Sequence, residues 1–353
     1  MMSTADRIDR RAFLGRASAA LGLAALGSTR GLARASAPGG ALGAAGPVDS
    51  PFDWAEIRPG VFATTNLATG GNCLAVAGGG ACLLVDTKFP AFIPRIARDV
   101  EIMTDHAPTH VLNTHHHADH SGGNMLFTDT AAVIAHENGL PRVRDQFQRN
   151  LSGITGGRRL AARLPEADRR ATIEDVARLL DRAGDYTAES WVANTPVSTA
   201  RTGLDLGGRR GAGWAEIRHF GRPSHTDNDL VLHLPHANVL HTGDVVFNGL
   251  HPYFDANGGC SSAGWLETLT DLDDLCDDET VVVPGHGPFG TRLMIREQIA
   301  YIERLRDAVK QGLDEGTPLE ELRTRTFPFM EGLGLENLRE NAIVFVYNEL
   351  TGG

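Results

Sequence analysis

The sequence predicts a mixed α/β domain whose reactive side chains gather at strand ends. Three observations carry this expectation. Short apolar or β-branched runs, among them Val111-Leu112, Val239-Leu240 and Val281-Val282-Val283, recur along the chain, and such residues favour strands. Each run ends within a few residues in a histidine or an aspartate, where open α/β sheets place their ligands. Intervening stretches show helical spacing, as with Val176, Leu179 and Leu180 on one face.

Taken in order, the first 35 residues read as a leader. Arg10-Arg11 followed by Phe13-Leu14 and a modest Ala/Leu/Gly stretch resembles a twin-arginine export signal. Arg16 and Arg30 interrupt the apolar stretch, which is too short to span a bilayer. Ala33-Arg34-Ala35 offers small residues for cleavage, so the mature protein is expected to start near Ser36, in the periplasm or outside the cell. Residues 36–53 are rich in Ala, Gly and Pro and read as a flexible linker. From residue 54 to 353 one domain suffices, long enough to bury a sizeable core.

The densest chemistry is His115-His116-His117-Ala118-Asp119-His120. Imidazole and carboxylate suit borderline metals such as zinc, and His115, His117, Asp119 and His120 are ligands enough for two ions rather than one. Histidine-rich runs can also be adventitious metal-binding tracts or solvated loops. Here the run follows the apolar Val111-Leu112 and precedes the turn Ser121-Gly122-Gly123-Asn124, which points to a strand-to-helix loop.

Three later segments repeat the pattern. His225 lies in Ser224-His225-Thr226-Asp227 after a strand-like run, Asp244 closes His241-Thr242-Gly243-Asp244, and His286 sits on the tight turn Pro284-Gly285-His286-Gly287. Together these pieces, with Val85-Asp86-Thr87 ending an earlier strand, resemble the metallo-β-lactamase superfamily over residues 62–289. The resemblance implies an αββα sandwich of two mixed sheets. It implies a first metal held by His115, His117 and His225, and a second by Asp119, His120 and His286, with Asp244 bridging. It also implies a hydroxide shared by the two ions as nucleophile, with Asp119 orienting it and moving its proton.

Asp244 discriminates among the branches. The antibiotic-degrading members carry cysteine or serine at the corresponding position, whereas an aspartate beside His120 resembles the glyoxalase II-like hydrolases. Gly258-Gly259-Cys260 looks like the glycine-cysteine motif of the cysteine-ligand branch but falls after Asp244, so Cys260 reads as a loop or packing residue. In the loop at residues 247–255, Asn248, His251 and Tyr253 are candidate substrate contacts, with an ordinary polar loop as the alternative. His136 ends another strand and reads as a structural histidine, with a place behind the metal residues as the alternative. Cys73 and Cys82 flank a glycine turn and are placed to face each other on a hairpin, although no disulfide is required.

Two segments exceed a minimal domain: a helical insertion at residues 137–195, either a cover for the site or padding for an outer layer, and C-terminal helices at 294–311, 319–325 and 335–350. The net charge is −11, and the leader alone holds six arginines against two aspartates, leaving about −15 on the remainder. That charge lacks the basic footprint of a nucleic-acid enzyme. The expectation is an exported dinuclear zinc hydrolase, iron or manganese being further candidates, acting on an ester, thioester, lactone or amide bond of a small molecule. No nucleic-acid partner and no stable membrane anchor are expected, and the oligomeric state is open. A β-lactamase or metal-dependent cyclase, and a non-catalytic periplasmic metal-binding protein, are the alternatives.

Overall fold

A computed structural model describes residues 50–65, 69–162, 164, 166–207 and 213–352. The expected twin-arginine leader (1–35) and all but the end of the linker (36–53) lie outside the described residues. Among the described residues, no helix is long and apolar enough to cross a membrane.

Two mixed sheets face each other. The first runs in chain order: β1 (Ala55–Arg58), β2 (Val61–Thr64), β3 (Cys73–Ala77), β4 (Cys82–Val85), β5 (His110–Leu112), β6 (Ala132–His136) and β7 (Thr195–Val197). Its first four strands are antiparallel neighbours, and from β4 to β7 the pairing is parallel. The second contains β8 (Arg201–Asp205), β9 (Trp214–Arg218), β10 (Val231–Leu234), β11 (Val239–Phe247) and β12 (Val281–His286), with β11 and β12 parallel.

Side-chain alternation builds the layers. Leu83 and Val85 of β4 enter the core between the sheets with Ile217, Leu232, Val281 and Val283, whereas Cys82 and Leu84 turn outward. The outward residues pack under α1 (Ile93–Thr104), in which Ile93, Ile96 and Val100 form the buried stripe. Val282 of β12 points the other way, towards α6 (Ser262–Asp274), α7 (Leu293–Asp314) and α9 (Arg339–Thr351). Each buried Val or Leu contributes about 1.5–3 kcal/mol, so both sheets are strongly held on both faces. The result is the expected αββα sandwich.

The insertion folds as α3 (Leu140–Asp145), α4 (Phe147–Ala161) and α5 (Glu166–Asp181). Ile154, Val176, Leu179 and Trp191 join the cluster on the outer face of the first sheet, so these helices extend the outer layer. At the C-terminus, the middle expected helix shrinks to one turn, α8 (Leu319–Leu322), after Pro318. The last starts at Arg339 rather than Leu335, because Leu335 takes a left-handed φ of 58° before a 3-10 turn.

One sequence expectation is corrected in the β3–β4 hairpin. Cys82 lies opposite Ala77, while Cys73 lies opposite Thr64 of β2 and donates its thiol to Asp86 O. The two cysteines therefore stand at opposite ends of the hairpin, and both thiols are free and buried. The C-terminal ends of β4, β5, β11 and β12 meet at one edge of the sandwich, and this edge carries the reactive residues.

Candidate metal centre

The loop after β5 is fixed before any metal is considered. Asn113 and Asn124 exchange amide hydrogen bonds of 3.0 and 2.7 Å across its base. Thr114 N and Oγ1 each donate to Asp86 at 2.8 Å. Asp86 directly follows β4 with a left-handed φ of 61°, which aims its carboxylate at this loop. His117 is followed by the one-turn α2 (Ala118–Ser121), so Asp119 and His120 project from a different direction than His115 and His117. On the opposite sheet, the pairing of β11 with β12 is irregular around Gly243, and Asp244 sits in that irregularity. A Cβ on Gly285 would lie 1.9 Å from Asp244 Oδ1, so only glycine permits this approach of the His286 turn.

Two groups of nitrogen and oxygen atoms result. In the first, His117 Nδ1 lies 2.9 Å from His115 Nε2 and 3.2 Å from His225 Nε2. In the second, His286 Nε2 lies 3.3 Å from both His120 Nε2 and Asp119 Oδ2. Asp244 divides its carboxylate between them. Oδ2 faces His115 Nε2 at 3.7 Å and His225 Nε2 at 3.6 Å, while Oδ1 faces His120 Nε2 at 3.1 Å and His286 Nε2 at 3.4 Å. All seven residues expected from the sequence are therefore brought together, in two groups joined by Asp244.

The hydrogen bonds around the rings decide which nitrogens face inward with a lone pair. His115 Nδ1 bonds Thr114 Oγ1 at 3.0 Å, His225 Nδ1 donates to Tyr253 O at 2.8 Å, and His120 Nδ1 donates to Asp86 Oδ2 at 2.7 Å. His117 is reversed: its Nε2 donates to Asp255 Oδ2 at 2.7 Å, leaving Nδ1 inward. Asp244 Oδ1 is buried beside two ring nitrogens yet makes no hydrogen bond of acceptable geometry. A buried carboxylate oxygen that faces inward ring nitrogens without a well-formed hydrogen bond is costly unless positive charge, on the rings or on a bound cation, satisfies it. The donor set thus fits metal ions on both sides of Asp244.

Asp255 carries no signal in the sequence, and Asp86 is marked there only as the end of a strand. Both hold ligand-type histidines by the outer nitrogen, an arrangement that fixes ring orientation and raises basicity. Replacing Asp255 with asparagine is expected to weaken zinc binding at the His115, His117 and His225 group about 10–100-fold. The group on the other side of Asp244 should change little. Zinc titrations against a competing chelator test this, and equal weakening of both groups would count against the assignment.

Electrostatics distinguish the two groups. Burial, aided by the neighbouring His120, pushes His115 well below the usual imidazole range, and burial brings His225 down to about 4; in this group His117 alone is shifted up, because Asp255 outweighs its burial. Burial also disfavours charge on His286 and His120, but Asp244 outweighs it, with Asp119 beside His286 and Asp86 beside His120; His286 is held at about 9 and His120 well above its ordinary value. A metal binds the neutral ring, so it must displace those protons. At pH 7.5, loading the group with His120 and His286 should release more protons per ion than loading the other. Calorimetry in buffers of different ionisation enthalpy measures this, and equal release from both groups would contradict it.

The candidate substrate contacts fare differently. The Tyr253 ring lies 5.7 Å from that of His117, at the border of the centre. Asn248 instead bolts down the His286 turn, donating from Nδ2 to Pro288 O at 2.7 Å and from its backbone N to His286 O. His251 is a correction: it is fully buried, and its ring nitrogens bond Tyr301 Oη and Glu336 Oε2 at 3.0 and 3.1 Å. Its polarity serves packing against α7 and the segment before α9, so it is turned away from the centre. Cys260 belongs to none of the metal-capable groups among the described residues, and it packs against the helical core of the second sheet. His136 is buried, with its ring 4.0 Å from that of His219.

A family model described as the metallo-beta-lactamase superfamily matches residues 67–286. No curated protein matches the sequence. Among solved structures, a metallo-beta-lactamase from Pontibacter korlensis is similar at 16% identity, covering 71% of this chain and 99% of its own, with a TM-score of 0.50. The metallo-beta-lactamase FIM-1 from Pseudomonas aeruginosa, in its mono-zinc form, is 17% identical over 73% of this chain and 97% of its own, again with a TM-score of 0.50. At such identities the likeness concerns the fold.

Proposed function

We propose that this chain, which belongs to the metallo-beta-lactamase superfamily, is an exported hydrolase that uses two zinc ions to cleave an ester, thioester, lactone or amide bond of a small molecule. The observation that carries this reading is the divided carboxylate of Asp244, with one oxygen towards each histidine group. Two neighbouring divalent ions, when bound, supply Lewis acidity that activates a water and polarises a carbonyl. His115, His117 and His225 would hold one ion, and Asp119, His120 and His286 the other.

The chain's own residues then define the chemistry around that pair. Without metal, burial pushes the Asp119 carboxyl up, but His120 and His286 outweigh it and hold it at about 2; bound cations would keep it ionised once they displace the ring protons. With the ions bound, that carboxylate would accept a hydrogen bond from the attacking water, orient it and take its proton. Phe247 stacks on His286 with ring centroids 5.3 Å apart, and Trp265 packs 5.5 Å from His225. These rings exclude water from behind the ligand-type histidines and keep them from rotating. Export is supported by Arg10-Arg11 and the leader that follows, and a small-molecule substrate by the acidic balance of the chain.

The test is a panel of ester, thioester, lactone, amide and β-lactam substrates on the zinc-loaded mature protein. Turnover of at least one of the first four at enzyme-like rates is expected. Nitrocefin hydrolysis without any of those activities would make the protein a β-lactamase. Two bound ions with no hydrolysis at all would make it a metal-binding accessory protein.

A further inference from the structure

Lys88 is a fully buried lysine two residues beyond Asp86, at a left-handed φ of 53°. Its Nζ lies 5.7 Å from the centroid of the Phe52 ring and donates to Gly71 O at 2.8 Å. A buried ammonium is expensive, so what it holds is informative. Gly71 belongs to a short strap, residues 70–72, that touches Asp119 and His120 and grips the turn that carries His286. Gly71 N donates to Asp119 O at 3.2 Å. A Cβ on Gly71 would fall 2.1 Å from His120 Cε1 and 2.5 Å from its Nε2, so the strap lies against the metal-facing edge of that ring. Asn72 N donates to Gly285 O at 2.7 Å, and its Nδ2 donates to Pro284 O and Gly287 O at 2.8 Å each, gripping the turn that carries His286.

We propose that Lys88 is a positioning residue for the second metal: by anchoring the 70–72 strap it sets Asp119, His120 and His286 in register. The inference rests on reading that group as a metal site. Lys88 makes no such link to the His115, His117 and His225 group, so its effect is one-sided. A lysine that merely filled the core would be replaced by methionine without disturbing one metal group more than the other.

The experiment measures Zn2+ affinity of each group separately, using His225→Ala to retain the second and His286→Ala to retain the first. Lys88→Met and Lys88→Gln are then introduced into both backgrounds. Lys88→Met is expected to weaken the second group about tenfold or more, the range seen when outer supports of ligands are removed. Lys88→Gln, uncharged and shorter, should fall between Lys88→Met and lysine, and it decides the question alone if the methionine variant does not fold. The first group should change less than twofold. Unchanged second-group affinity in the folded variants, or equal weakening of both groups, overturns the role of Lys88. Failure of the His225→Ala protein itself to bind zinc would instead overturn the reading of the second group as a metal site.

Discussion

Replacing Asp244 with alanine is expected to strip both metal groups and to lower turnover about 10³-fold or more. The size follows from the position of the carboxylate. Its two oxygens face opposite groups at 3.1–3.7 Å, so one substitution removes a partner from each. Removing it also leaves His115 and His225 with no carboxylate beside their inward nitrogens and the second group with Asp119 alone, which weakens the hold on a cation in both. Metal assistance is worth several kcal/mol of transition-state stabilisation, and each 1.36 kcal/mol is a factor of ten in rate. Metal analysis of the dialysed variant beside its turnover is the measurement. Retention of two tightly held ions would show that Asp244 does not bridge.

Asp119→Ala should cost nearly as much by a different route. The carboxylate lies 3.3 Å from His286 Nε2 and 3.7 Å from His120 Nε2, and it is the acidic member of the second group. Its loss removes both a ligand and the group that orients the nucleophile and moves its proton. General acid–base groups contribute typically about 10²–10⁴-fold, and kcat should fall by an amount in that range even at saturating zinc. Because excess zinc restores occupancy but not the proton carrier, kcat and zinc affinity should separate in this variant. Full recovery of kcat at high zinc would reduce Asp119 to a ligand alone.

The seven ligand-type residues were legible because they follow short apolar runs, and their division into two groups was legible only through the resemblance to the superfamily. The sheets were legible in part, because short apolar runs such as Val239-Leu240 and Val281-Val282-Val283 are strand signatures, whereas the facing of Leu83 and Leu84 to opposite layers appears only in the fold. Asp255 and Lys88 were not legible. Asp255 follows Tyr253-Phe254 in a loop whose path back to His117 is set by tertiary packing, and a carboxylate that holds a histidine from behind has no fixed spacing to it. An isolated lysine next to Asp86 reads as surface by default, and only burial reveals otherwise. His251 misled in the opposite sense, since a polar residue in a site-bordering loop suggested solvent, whereas Tyr301 and Glu336 satisfy it inside the fold. The helical character of residues 137–195 was legible, but its place in the outer layer depended on which face of the sheet its apolar residues meet.

The central claim is that this edge of the sandwich holds two ions on either side of Asp244. It is tested most directly by anomalous diffraction at the zinc edge from crystals of the zinc-loaded protein. Two peaks are expected, about 3.5–4 Å apart, one among His115, His117 and His225 and the other among Asp119, His120 and His286. A single peak at full zinc occupancy, or a second peak displaced to His116 and Asp255, would contradict it.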